Sequence, residues 1–262
     1  MNADAEVLHE ARERVLGRIE AACGRVGREP GSVALVAVSK TVSVERLRAA
    51  VEAGLDVLGE NRVQEAAGKI GFVEGATWHL VGPLQSNKAR RAIELFDVIE
   101  SVDSVDLAGR LGRVAGELRP DRPLPVLLQV NVDADASKAG FAPADLVHRL
   151  GELADLHGLE LRGLMTIGRL VATAEEARPT FRALRELSER LRADEARLGS
   201  DLSMGMTDDF EVAIEEGATI VRVGRALFGE RPHDHADEHG ALHAHAPDVG
   251  HDHDHPHDAA SG

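Results

Sequence analysis

A chain of the α/β class, closed as a (β/α)8 TIM barrel, is predicted from three observations. Apolar runs of four to seven residues recur along the sequence, eight of them can be counted, and amphipathic helical stretches separate them. The runs are apolar at consecutive positions rather than alternate ones, as expected of strands covered on both faces. Strand followed by helix, eight times over, is the order in which a parallel sheet closes on itself. An open doubly wound sheet is the alternative. The 262 residues suit a single barrel, since such units run to roughly 250.

The elements follow in order. Residues 4–26 open the chain as a helix, with Val7, Leu8, Ala11, Val15, Ile19 and Ala22 at helical spacing. The expected strands are VALVAV (33–38), LDVLG (55–59), TWHLV (77–81), FDVIE (96–100), PVLLQVN (125–131), LELRGLM (159–165), DLSM (201–204) and ATIVRV (218–223). DLSM is the weakest, short enough to be a loop. Between them VERLRAAVEAG, SVDLAGRLGRVAGEL and EARPTFRALRELSERLRADEARL place apolar residues three or four apart, the spacing of a helix with one buried face.

From His233 to the end the composition changes. This segment holds nine of the 13 histidines and seven acids, with no Lys or Arg, so the net charge of -15 divides into -7 for the tail and -8 for the body. Such a sequence cannot bury enough apolar surface to offset its ordering entropy and is expected to be disordered. Residues 1–232 are therefore read as the barrel and 233–262 as a His/Asp-rich tail. Imidazoles and carboxylates at alternate positions could loosely bind a divalent metal, although no tetrahedral ligand spacing is present.

Charge and cysteine usage exclude several classes. An acidic chain with a pI near 5.3 repels phosphate backbones and anionic membrane surfaces, so no nucleic acid or membrane partner is expected. The single cysteine, Cys23, allows no internal disulfide, and neither a signal-like start nor an apolar run long enough to span a bilayer occurs. A cytoplasmic location is expected.

In a barrel of this kind ligands sit at the C-terminal ends of the strands. Collecting those positions gives Ser39 and Lys40, Glu60 and Asn61, His79, Asn131, Met165 and Thr166, Met204 to Thr207, and Arg222 with Gly224. A lysine in this ring has three readings. It could snorkel to water, bind an anion, or present an amine of lowered pKa that forms a Schiff base with an aldehyde. ATIVRVGRALFGER adds a strand that runs through Val-Gly-Arg into a helical segment, at the place where barrels commonly hold a phosphate. Arg222 and Gly224, two apart, share one face of that strand. A lysine for an aldehyde, a cation for a ring nitrogen and a nest for a phosphate together describe pyridoxal 5'-phosphate (PLP). A Schiff-base lysine acting on a sugar phosphate is the alternative that dispenses with PLP.

Five segments carry a resemblance. VAVSKTVSVERLRAAVEAGLDVLGENRVQEA, WHLVGPLQSNKAR, LLQVNVDADASKAGF, LRGLMTIG and LSMGMTDDFEVAIEEGATIVRVGRALFGER, in this order over residues 33–231, resemble the successive motifs of the pyridoxal phosphate homeostasis protein family, which is similar in fold to the barrel domain of alanine racemase. The resemblance implies PLP as cofactor and Lys40 as its Schiff-base lysine. It also implies that Arg222 faces the pyridine nitrogen, that Gly224 and Arg225 offer backbone amides to the phosphate, and that Ser203 and Thr207 add hydroxyl donors. Asn61 and His79 would border the ring. Thr207 stands where relatives often have serine, and Arg225 where threonine is frequent. His79 could instead be a buried, hydrogen-bonded histidine, and Asn61 a helix N-cap. Lys138 in SKAGF could be a mouth-lining cation or a solvated loop lysine.

The chemistry implied is limited. A guanidinium beside the pyridine nitrogen leaves that nitrogen unprotonated and the ring a weaker electron sink. The chain contains no tyrosine, the residue that alanine racemase-type enzymes use from a second domain as a base, and only the tail follows the barrel. A monomeric PLP-binding protein with little or no catalysis is expected, one that buffers the cofactor or delivers it to PLP-dependent apoenzymes. A PLP-dependent amino-acid racemase is the alternative.

Overall fold

The chain enters through α1 (Ala3–Arg25), capped by the Asn2 side chain on the Ala5 amide. Leu8, Ala11, Val15, Ile19 and Ala22 are buried along one face as the spacing predicts, but Val7 is 58% exposed because it lies one position off that stripe. The computed structural model describes residues 2–169 and 171–229. The tail and the boundary expected at 232 lie outside them.

After α1 the strands are β1 (Ala34–Val38), β2 (Val57–Glu60), β3 (Thr77–Leu80), β4 (Val98–Val102), β5 (Leu124–Gln129), β6 (Leu159–Met165), β7 (Asp201–Ser203) and β8 (Ile220–Val223). They form one closed parallel barrel in sequence order. Pairing of β1 with β8, from Ala34 opposite Ile220 to Ala37 opposite Val223, excludes the open sheet. The DLSM segment is a strand of three residues, held by both neighbours.

The helices of the outer layer are α2 (Val44–Glu52), α3 (Val63–Ala67), α4 (Ala89–Leu95), α5 (Val105–Leu118), α6 (Pro143–Ala154), α7 (Arg178–Asp194), α8 (Phe210–Glu215) and α9 (Arg225–Phe228). Ser43 and Ser104 cap α2 and α5 by accepting from the Arg46 and Leu107 amides. Three strands, β2, β4 and β8, begin two residues later than the apolar runs suggest, and the first two show why. Leu55 donates its amide to Ala50 in the turn that ends α2, and Phe96 caps the end of α4 on the Ala92 carbonyl. Both side chains are buried, so they are apolar without belonging to a strand.

Two apolar layers result. The larger joins strands to helices, and a smaller one of Val36, Val81, Leu127, Met165 and Ile220 fills the barrel interior. Because side chains alternate along a strand, the interior position Ile220 fixes the row through Arg222 to Gly224. Local alternation thus aims Arg222 at the interior, and Lys40 lies two residues beyond the end of β1.

Candidate functional site

Arg222 is the centre of a buried polar chain. Only 5% exposed, it donates from Nη1 to Ser203 Oγ at 2.6 Å and from Nη2 to the Thr166 carbonyl at 2.8 Å. Ser203 Oγ–H donates to Glu100 Oε2 at 2.5 Å, and His79 Nδ1 meets Glu100 Oε1 at 2.6 Å. Four strands, β3, β4, β7 and β8, therefore contribute to one connected row across the interior.

Charge explains why the row is stable. Burial works against the Glu100 carboxylate, but the hydrogen bond and charge of His79, the Arg222 guanidinium and the Ser203 hydroxyl together hold its pKa below the ordinary value. Desolvation lowers the pKa of Arg222, opposed by Glu100 and Asp209, and a guanidinium remains charged at neutral pH regardless. Burial also raises the Asp209 pKa, against a hydrogen bond from the Met206 amide.

Two of the five N–H donors of Arg222 are used in these bonds. Its Nε makes no hydrogen bond, whereas the one buried side-chain polar atom without a partner among the described residues is Glu60 Oε2, so the Arg222 Nε is not fully enclosed. His79 faces the other way. It lines a cavity of about 380 Å³ at the start of the strands, together with Ala34, Val98, Leu127, Asp201 and Ile220. It is buried, and its link to Arg222 runs through Glu100 and Ser203.

At the C-terminal face, half-buried Lys40 follows β1 and Asn61 follows β2. Asn61 is not a cap: the N-cap position of α3 is Arg62, with no side-chain bond. Gly82 lies so close behind Asn61 that a Cβ there would come within 2.4 Å of the Asn61 carbonyl oxygen. Thr207 is half-buried in the loop after β7, next to exposed Met206. Gly224 leads from β8 into α9, and the exposed Arg225 guanidinium contacts Asp208. Lys138 donates to the carbonyls of Ile167 and Gly168, which ties the loop after β5 to the loop after β6. Of the expected residues, Ser203, Arg222 and His79 are thus joined by hydrogen bonds through Glu100, while Lys40, Asn61, Thr207, Gly224 and Arg225 lie at or beyond strand ends.

Sequence reading missed Glu100 and Lys69. Glu100 had a signal, a carboxylate alternating with Val98 inside an apolar strand. Lys69 lies in the outer layer, 8% exposed, and no local pattern marks it.

The sequence matches the family model described as alanine racemase, N-terminal domain, over residues 16–232. It is 46% identical over 223 residues to the pyridoxal phosphate homeostasis protein of Pseudomonas aeruginosa, a match that covers 83% of this chain and 93% of that one. The chain belongs to the pyridoxal phosphate homeostasis protein family. Among solved structures, PipY of Synechococcus elongatus PCC7942 with PLP bound is 44% identical, with a TM-score of 0.72 over 81% of this chain and 100% of that chain. An alanine racemase of Clostridium difficile 630 has a TM-score of 0.65 over 84% of this chain and 56% of that chain. At 16% identity that second likeness is one of fold. Membership of the pyridoxal phosphate homeostasis protein family agrees with the five motifs, which end inside the matched region.

Proposed function

We propose that this protein binds PLP reversibly through the Lys40 amine and serves PLP homeostasis, buffering the cofactor or passing it to PLP-dependent apoenzymes, with little or no catalysis of its own. The observation that carries this reading is the buried Arg222, oriented by donating from Nη1 to Ser203 and from Nη2 to Thr166. Held in this way, the guanidinium still has N–H donors to offer a ligand. The acceptor that suits it is a neutral aromatic nitrogen, since Glu100 and Asp209 already balance its charge. When bound, PLP supplies an aldehyde for an amine and a pyridine nitrogen for such a donor.

The residues present fit the group. Lys40 follows β1 by two residues, and Arg222 lies on neighbouring β8 opposite Val36. Gly224 and Arg225 begin α9, where first-turn amides lack intrahelical acceptors and suit a phosphate. Thr207 and Asn61 would border the ligand. Ser203 is assigned a different role from Thr207. Its proton is given to Glu100, so it orients Arg222 and is not a phosphate donor. His79 acts through Glu100 in the same way. The names of the homologues and the PLP bound to PipY support the reading. Among the described residues no helix is long and apolar enough to cross a membrane.

The test is the visible absorption spectrum of the purified protein with added PLP, then borohydride reduction and peptide mapping, beside Lys40→Ala. A yellow protein with the reduced adduct on the Lys40 peptide, absent in the variant, is expected. No visible band and no adduct would refute PLP binding and leave Lys40 to another ligand. Cofactor-dependent loss of optical activity at a sustained rate, in a panel of amino acids, would move the assignment to a racemase.

A further inference from the structure

Behind Lys40, on the side away from the barrel interior, lies a second ionic cluster that the proposed function does not use. Lys69 Nζ donates to the Ser39 carbonyl at 2.9 Å, to Glu60 Oε1 at 2.8 Å and to Glu65 Oε1 at 2.6 Å. An ammonium has three protons, and here all three are taken. Lys69 is therefore not available to a ligand, and its effect must pass through its acceptors.

Those acceptors flank one residue. Ser39 is gripped through its carbonyl by Lys69 and through its hydroxyl by Glu60 Oε1 at 2.7 Å. Thr41 is gripped by its amide, which donates to Glu65 Oε1 at 2.5 Å, and its hydroxyl donates to the Lys40 carbonyl at 2.6 Å. Thr41 has φ of 66°, one of two positive values among the described non-glycine residues. A β-branched residue rarely adopts that conformation, which persists where the surroundings over-determine it. The sharp turn immediately after Lys40 is thus held by residues on the next βα unit.

The cluster is also an unlikely one to keep for stability alone. Glu60 is fully buried with Oε2 unpartnered, and desolvation raises its pKa despite Lys69 and Ser39. Apolar side chains of similar volume would serve the fold as well or better.

We propose that Lys69, Glu60 and Glu65 are positioning residues that fix the backbone of Lys40 so that its amine meets the ligand; this rests on the reading of Lys40 as the PLP-binding lysine. Glu65, the most exposed member, gives the cleanest test, because Glu65→Ala removes the hold on Thr41 while Lys69 keeps Ser39 and Glu60. Wild type, Glu65→Ala, Glu65→Gln and Glu65→Ala/Thr41→Gly are titrated with PLP, and the pH midpoint of the visible band and the melting temperature are recorded.

Expected is about a tenfold or greater loss of PLP affinity in Glu65→Ala, since small misplacements of a reacting group carry penalties of that order, with a moved pH midpoint. Glu65→Gln keeps the acceptor oxygen and should recover most of the affinity. Glycine at 41 adopts the turn without a clamp, so the double variant should bind better than Glu65→Ala alone. Glu65→Ala with wild-type affinity and midpoint, and at most a lower melting temperature, overturns the proposal. A wild type that shows no visible band overturns the PLP reading and this inference with it, and the two failures are distinguished by that first spectrum.

Discussion

Replacing Glu100 by Gln removes the charge from a fully buried carboxylate that faces His79, Ser203 and Arg222. The amide keeps one acceptor but turns the other oxygen into a donor, which must oppose either the His79 or the Ser203 proton. Removing one member of a buried charged set costs about 3–5 kcal/mol. Asp209 remains as a counter-charge for Arg222, so the lower end, about 3 kcal/mol, is expected. In a domain of this size each kcal/mol moves Tm by about 2–4 °C, giving a fall of about 6–12 °C.

The same substitution has a pH signature. Glu100 has a folded pKa below its unfolded value, so its contribution is complete above the unfolded carboxylate value of about 4.3 and is lost as pH falls through the folded one. Melting curves of wild type and Glu100→Gln, followed by circular dichroism from pH 7 downward, should therefore begin to converge below about pH 4 and meet below the folded value. A variant that melts within 2 °C of wild type at pH 7, or a gap that persists unchanged into acid, would refute the assignment of Glu100 as the buried anion of the row, since the smallest shift reasoned here is about 6 °C.

Other outcomes follow from named contacts. Ser203→Ala unlinks Arg222 from Glu100 and should lower stability by about 1–3 kcal/mol and weaken PLP binding, measured by urea unfolding and spectral titration. Gly82→Ala puts a methyl 2.4 Å from the Asn61 carbonyl oxygen, and the displaced backbone should cost about 1–3 kcal/mol and lower PLP affinity; unchanged binding would separate Asn61 from the site. Arg18→Ala loses a two-toothed pairing with Glu211 and the face of Phe210 at 4.3 Å. With Arg18 about two-fifths exposed, a loss of about 1 kcal/mol in chemical unfolding is expected.

The site was legible where chain geometry is local. Lys40 could be placed after an apolar strand, and Arg222 and Gly224, two apart, on one face of another, because a strand has no freedom to break that period. What lay outside such reading were pairings of high sequence separation. Ser203 and Glu100 are 103 positions apart and Arg222 and Thr166 are 56 apart, so their contacts exist only once the barrel closes.

The sequence by itself determined the eightfold succession of strands and helices, the two cations at strand ends and the family, since these depend on local periodicity and on motif order. The tertiary structure decided which groups those cations meet. It placed Ser203 between Arg222 and Glu100, set His79 against Glu100, and set Lys69 against the Ser39 carbonyl beside Lys40. The physical reason is that closure stacks residues from different strands at one depth of a dry interior, where each buried donor and charge must be answered by whichever group the register brings beside it.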